Sequence, residues 1–368
     1  MHTRGLPLKK LGLVIGDWRD LERLFKYLKD SGYRIIGPKV DGNVIKLKEL
    51  KSLREFPKQI SDHQAPGYYR LEEGDFFRNG DDSPKKYLFP PKMEIFKVNR
   101  DLSISFRETE KVKIAFFGIK SCDTASITIM DKVLGERGDS FYKHFRKELF
   151  IVTENCIKPG ENCFCSSMGT GPRVQSGFDI SFTRIDGKIL FEAGSERGVK
   201  ILEKLKLPHA NAKLKKKFIE VLEKAAEKAK ANFEKRFLAE KLELAIESPI
   251  WKELSEKCLG CGNCTMVCPT CFCFDIYDEV FLDEYSKRVR YWDSCFTYKH
   301  AEVAGGHFRP ELWARYRQWL LHKFSYWKRQ FDMLGCVGCG RCITWCPVGI
   351  DIRKAVEKVL KWVDENVR

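Results

Sequence analysis

The chain has 368 residues, 43% of them hydrophobic, and carries 66 Lys and Arg against 51 Asp and Glu, a net charge of +15. That length suffices for two or three domains with a sizeable core, and the composition fits an ordinary globular protein. No apolar run reaches the length of a membrane-spanning helix, and MHTRGLPLKKLGLVIGDW, broken by Asp17 and Arg19, does not read as a signal peptide, so the expected location is the cytosol. In that reducing compartment fifteen cysteines, an odd number, argue for metal ligation over a disulfide framework. The basic balance suits nucleic acid or an acidic protein partner, and the wealth of Lys and Glu hints at a thermophilic source.

In chain order, Asp17 reads as the N-cap of a helix with Trp18, Leu21, Leu24, Phe25 and Leu28 at helical spacing and Gly32 as its stop. A hairpin is expected around Asp41-Gly42. Residues 61–91 hold several Gly and Pro breaks and read as irregular. Lys113 to Gly118 and Leu149 to Val152 read as buried strands, with a helix from about Thr124 to Val133 between them. Residues 1–208 are therefore expected to form an α/β domain. Residues 209–248 read as a helical linker, with Leu214, Phe218, Leu222 and Ala225 on one face, either continuous or broken near Asn232. Its charges alternate in sign, which favours a solvated connection over a nucleic-acid surface. Residues 249–368 form the cysteine-rich domain, with a basic, aromatic helix ELWARYRQWLLHKFSYWKRQF and a last helix DIRKAVEKVLKWVDENV. The expected class is α+β, the last domain ferredoxin-like and mostly helical.

Two motifs carry the chemistry. Cys258-x2-Cys261-x2-Cys264-x3-Cys268-Pro269 and Cys336-x2-Cys339-x2-Cys342-x3-Cys346-Pro347 both match the bacterial ferredoxin run. Two residues between cysteines let a tight loop aim three thiolates at one cube, while the fourth cysteine points away and serves the neighbouring cluster. Cys258, Cys261, Cys264 and Cys346 are then expected to hold one 4Fe–4S cluster, and Cys336, Cys339, Cys342 and Cys268 the other. Glycines 260, 262, 338 and 340 let the backbone wrap closely and offer N–H groups to sulfur. A zinc ribbon is the rival reading, but it has two C-x2-C pairs, not two four-cysteine runs each closed by Cys-Pro.

Seven cysteines remain. Cys122 follows one expected strand, and Cys156, Cys163 and Cys165 follow the other. Were those strands parallel, both loops would leave the same sheet edge, where α/β folds place their sites. Four thiolates there would hold a third 4Fe–4S cluster, with zinc or free thiols as alternatives. Cys271, Cys273 and Cys295 lie in the insert 269–335. Cys271 and Cys273 are expected to be buried, and Cys295 is undecided between ligand, sulfur-handling thiol and core residue. His307 reads as a satisfied structural histidine. No G-x-G-x-x-G follows a strand, so the chain shows no dinucleotide site of its own. Lys257 and Arg341, beside ligands, are expected to raise cluster potentials if their side chains approach.

Taken together, GIKSCD, NCIKPGENCFCSSMGTGP with GFD, CLGCGNCTMVCPTCFC, WDSC, AGGHFRP and CVGCGRCITWCP resemble the beta subunit of NAD(P)-linked sulfhydrogenases. The A subunit of anaerobic sulfite reductase is similar. The resemblance runs from about QAPGYYRL to near the C-terminus. It implies an electron-transfer subunit, not catalytic alone, that relays electrons between an FAD- and NAD(P)H-binding partner and a partner with a catalytic metal, nickel–iron in hydrogenases. Formate dehydrogenase and sulfite reductase complexes use the same module. The resemblance places cluster ligands on the eight ferredoxin-type cysteines and on Cys122, Cys156, Cys163 and Cys165. Two other readings stand beside it, an iron–sulfur protein acting on nucleic acid and a heterodisulfide reductase-type subunit. No Cys-Cys pair of the latter occurs here.

Overall fold

The computed structural model describes residues 12–106, 112–282 and 284–367. Its main sheet has seven strands: β1 (Val14–Gly16), β2 (Tyr33–Asp41), β3 (Val44–Glu49), and, after four strands of other sheets given below, β8 (Lys113–Lys120), β9 (Phe150–Glu154), β10 (Ile180–Ile185) and β11 (Lys188–Ala193). The spatial order is β1-β11-β10-β9-β8-β2-β3. The four inner strands β10, β9, β8 and β2 run parallel, and both flanks are antiparallel. Strands buried on both faces read as near-continuous apolar runs, as Ile114–Ile119 of β8 and Phe150–Val152 of β9 do, and the charges at their carboxyl ends, Lys120 and Glu154, pair with each other at 2.6 Å.

Helix α1 (Trp18–Asp30) starts as the sequence indicates. The Asp17 side chain accepts from Arg19 N at 2.7 Å and Asp20 N at 3.3 Å, closing a capping box. It buries Leu21, Leu24, Phe25 and Leu28 against Phe117, Phe150 and Phe182 of the sheet. Each such burial contributes about 1.5–3 kcal/mol. Helix α2 (Ser121–Met130) begins immediately after β8, so Cys122 sits in its first turn at the carboxyl edge of the sheet.

Three expectations change. Residues 61–91 are not all irregular: β4 (Ile60–Ala65) and β5 (Tyr68–Glu73) form a hairpin turning at Pro66-Gly67. Neither strand has a strong β signature, and the hairpin is held from outside, by Gly67 N–H donating to Ile343 O at 3.0 Å and by Tyr69 stacked on Trp345. The carboxyl-terminal region is not mostly helical. It contributes β12 (Phe274–Phe281) and β13 (Tyr285–Trp292), which join β6 (Lys92–Asn99) and β7 (Ile104–Phe106) in a sheet of order β12-β13-β6-β7. This sheet draws two strands from each side of residue 249. The stretch 209–248 is two helices, α3 (Ala212–Lys228) and Leu238–Glu243, and it is not simply solvated: Phe218 and Leu222 bury against Ile185 and Leu190.

The basic, aromatic segment forms α4 (Leu312–Leu321), a π-helical turn His322–Tyr326 and a last helical piece Trp327–Phe331. Helix α5 (Ile352–Asn366) packs Val356, Val359 and Val363 into the same core as Trp251, Trp319 and Phe324. Among the described residues, no helix is long and apolar enough to cross a membrane.

Candidate iron–sulfur centres

None of the fifteen cysteines is paired in a disulfide. Because β8 and β9 are parallel, Cys122 and the loop carrying Cys156, Cys163 and Cys165 do leave one edge of the sheet. The charges felt by each thiol sort twelve of them into three groups. Cys258 faces Cys261 and Cys346, and Cys264 faces Cys258 and Cys346. Cys336 faces Cys268 and Cys339, and Cys342 faces Cys336, Cys339 and Cys268. Cys165 faces Cys163 and Cys156, and both Cys122 and Cys165 face each other's neighbourhood through Cys339. The fourth cysteine of each ferredoxin motif thus lies with the first three of the other.

The first group lines a cavity walled by Phe296, Tyr316 and Trp319. Its rim is at the surface, where Cys261 is exposed. Backbone N–H groups point at sulfur: Gly260 N to Cys258 Sγ at 3.4 Å, Gly338 N to Cys336 Sγ at 3.3 Å and Ile350 N to Cys346 Sγ at 3.3 Å. Such donors stabilise negative charge on thiolate sulfur, the charge a cluster brings. Without a cluster, burial pushes the Cys336 thiol up to about 12 and Cys163 likewise, so these groups resist ionising unless a metal replaces the proton. The donor set is therefore the one that iron–sulfur clusters require.

The three groups lie in a row. Cys264 neighbours Cys268, joining the first group to the second. The second meets the third through backbone: Phe164 N donates to Gly338 O at 2.8 Å, and Cys163 Sγ lies 3.9 Å from Cys339 O. Gly338 and Gly340 have positive φ, 62° and 77°, and a Cβ on either would come within 2.6 Å of Phe164 or Asn162 backbone oxygen. Both glycines are thus needed for a left-handed turn and for close approach.

Charged side chains surround the middle group. Arg341 is 2% exposed and pairs with Asp123 at 2.7 Å, so its charge is partly answered before it reaches Cys339. Burial raises the Asp123 carboxyl, with Arg341 pulling the other way, and the guanidinium stays protonated. Lys257, by contrast, is exposed. Sequence reasoning missed Lys323. It is buried in the π-helical turn, and its Nζ donates to Cys268 Sγ at 3.1 Å and Cys271 Sγ at 3.2 Å. Lys85, also missed, is buried nearby, reaches Thr265 O at 3.4 Å and stacks over Trp292. Burial lowers it to about 8 despite the pull of Cys271 and Cys268. In the third group Asn79 Nδ2 donates to Cys122 Sγ at 3.1 Å.

Cys271 and Cys273 are half-buried rather than buried, and Cys295 is buried. His307 is satisfied, with Arg309 N donating to its Nδ1 at 2.9 Å and Tyr298 O 2.5 Å from Nε2. Among the described residues no group of three or more His, Cys, Asp or Glu is set to hold a single metal ion.

The family model of a 4Fe–4S dicluster domain matches residues 257–350. The molecule is therefore an iron–sulfur protein of the dicluster class. It is 35% identical to the sulfhydrogenase 2 subunit beta of Pyrococcus furiosus, over 91% of this chain and 94% of that one. The chain belongs to the family of sulfhydrogenase beta subunits, the iron–sulfur electron-transfer subunits of hydrogenase-type complexes. No solved structure matches it.

Proposed function

We propose that the chain relays single electrons over three 4Fe–4S clusters set in a row. Cys258, Cys261, Cys264 and Cys346 hold the first, Cys336, Cys339, Cys342 and Cys268 the second, and Cys122, Cys156, Cys163 and Cys165 the third. The clusters supply one-electron storage with little rearrangement. The protein's part is to fix the thiolates, donate N–H groups to sulfur, exclude water and place charge. The observation that carries the reading is the fusion of the second and third cysteine loops through Phe164 and Gly338. That contact closes the gap between the ferredoxin module and the sheet edge.

The exposed rim at Cys261 and Leu259 makes the first centre an exit to a partner surface. We assign the partners as an FAD- and NAD(P)H-binding subunit and a nickel–iron catalytic subunit, in the cytosol. The P. furiosus relative, by its name, is subunit beta of a sulfhydrogenase, which supports an assembly of several chains. Metal analysis of the assembly that co-purifies with the chain tests this. Nickel is expected; molybdenum, tungsten or siroheme in its place would assign the module to formate or sulfite chemistry and overturn the hydrogenase reading.

A further inference from the structure

Two thiols outside the three groups lie together at the open end of the β12/β13 hairpin. The last register pair there is Phe274 with Trp292, and Asp293 N donates to Cys273 O at 2.9 Å. Beyond it Ser294 makes a turn, its Oγ accepting from Phe296 N at 3.1 Å and from Thr265 Oγ1 at 2.7 Å, with Thr297 N on Ser294 O at 2.9 Å. That turn folds Cys295 back into the core against which Cys273 packs. Beside Cys273 stands His300, held by Asp293, Nδ1 to Oδ2 2.5 Å, and within electrostatic reach of the Cys273 sulfur. Cys273 is half-buried and Cys295 buried.

We propose that Cys273 and Cys295 form a thiol–disulfide exchange site, with Cys273 the attacking thiol, Cys295 the resolving thiol and His300 the proton acceptor, acting on a small disulfide. A thiolate attacks one sulfur of a disulfide in line, and a second thiol within reach then resolves the mixed disulfide. The Cys273 thiolate attacks the disulfide R–S–S–R, forming a Cys273–S–S–R bond, and the His300 imidazolium gives its proton to the departing thiolate, which leaves as a thiol. Cys295 then attacks Cys273 Sγ, gives its proton to the neutral His300, forms the Cys273–Cys295 bond and releases the second thiolate. The small disulfide gains two electrons, and the cysteine pair loses them. An acid–base pair beside one thiol, a second thiol in contact and partial exposure of the first are the parts this chemistry needs. Neither thiol belongs to the groups assigned above to clusters, so the site does not depend on that assignment.

The test uses the co-purified complex, prepared without oxygen. It is treated with a limiting amount of 5,5′-dithiobis(2-nitrobenzoate), quenched in acid, alkylated and mapped by mass spectrometry, with iron counted before and after. The expected result is a Cys273–Cys295 cross-linked peptide pair, about two thionitrobenzoates released per pair formed, and unchanged iron. Cys295→Ser is expected to stop at the mixed disulfide on Cys273, and His300→Gln to slow its formation at pH 7 by roughly tenfold. Free, alkylated Cys273 and Cys295 in the treated wild type would overturn the proposal. So would loss of iron in Cys295→Ser, which would make that thiol a cluster ligand.

Discussion

Phe164 and Gly338 are joined backbone to backbone at 2.8 Å, although 174 residues separate them (338 less 164). One belongs to the cysteine loop at the edge of a parallel sheet, the other to a ferredoxin-type loop. The hydrogen bond ties the two loops together. Gly338 allows it by having a left-handed backbone and no Cβ. Gly338→Ala adds a strain of about 1–2 kcal/mol and forces Phe164 away. The expected outcome is a lower Tm and a weaker magnetic coupling between two clusters in the reduced protein, read by paramagnetic resonance. An unchanged spectrum and Tm would mean the close approach is unimportant.

Lys323 places a buried cation against Cys268. A cation favours the reduced, more negative state of a cluster. Over roughly 7 Å at an effective dielectric of about 20, the interaction is on the order of 2 kcal/mol, or about 100 mV for a one-electron couple. Lys323→Met keeps the volume and removes the charge. One cluster potential is expected to fall by that order in a dithionite titration, the others staying put. A potential that does not move would show that the lysine serves packing alone.

Crossed ligation has its own signature. Cys346→Ser and Cys258→Ser, from different motifs, are expected to damage the same cluster signal. Cys268→Ser and Cys336→Ser are expected to damage the other. Variants that pair by motif instead would contradict the exchange.

The Cys273–His300 pair sets a pH window. The hydrogen bond from Cys295, with His300 assisting and burial opposing, holds the Cys273 thiol down to about 4 from its ordinary 9. The thiolate, with Asp293 behind, lifts His300 to about 9 from 6.5 against burial. The folded thiol is depressed, so its contribution to stability is complete above pH 9 and is lost as pH falls through 4. The folded imidazole is raised, so its contribution is complete below pH 6.5 and is lost as pH rises through 9. Both groups are charged between those limits. Alkylation of Cys273 by iodoacetamide should therefore stay fast down to about pH 5, and His300→Gln should shift its midpoint upward. A midpoint near that of an ordinary thiol in the wild type would refute the pairing.

The chemistry was more legible in the sequence than the architecture. Ligand spacing is local, so both ferredoxin motifs could be read directly, and a 4Fe–4S dicluster domain matches the stretch that holds them. Cys122 and the 156–165 loop could be placed at one edge because β8 and β9 hold unbroken apolar runs, Ile114–Phe117 and Phe150–Val152. The β4/β5 hairpin could not, because Ile60–Ala65 and Tyr68–Glu73 are polar and are stabilised by Ile343 and Trp345, far along the chain. The β12/β13 hairpin carried only a broken signal: Phe274, Ile276 and Val280 alternate with Asp275 and Glu279, but Asp278 falls on the apolar face and Tyr277 on the polar one. Lys323 was hidden for another reason. A lysine inside a basic helix looks solvated until the fold places two thiols beside its ammonium.

The central claim is that twelve thiolates hold three cubes in a row, and the most direct measurement is iron and acid-labile sulfide on the chain purified without oxygen. About twelve of each per chain are expected, with interacting signals in paramagnetic resonance after dithionite. About eight of each, with Cys122→Ser leaving the count unchanged, would remove the third centre and contradict the account.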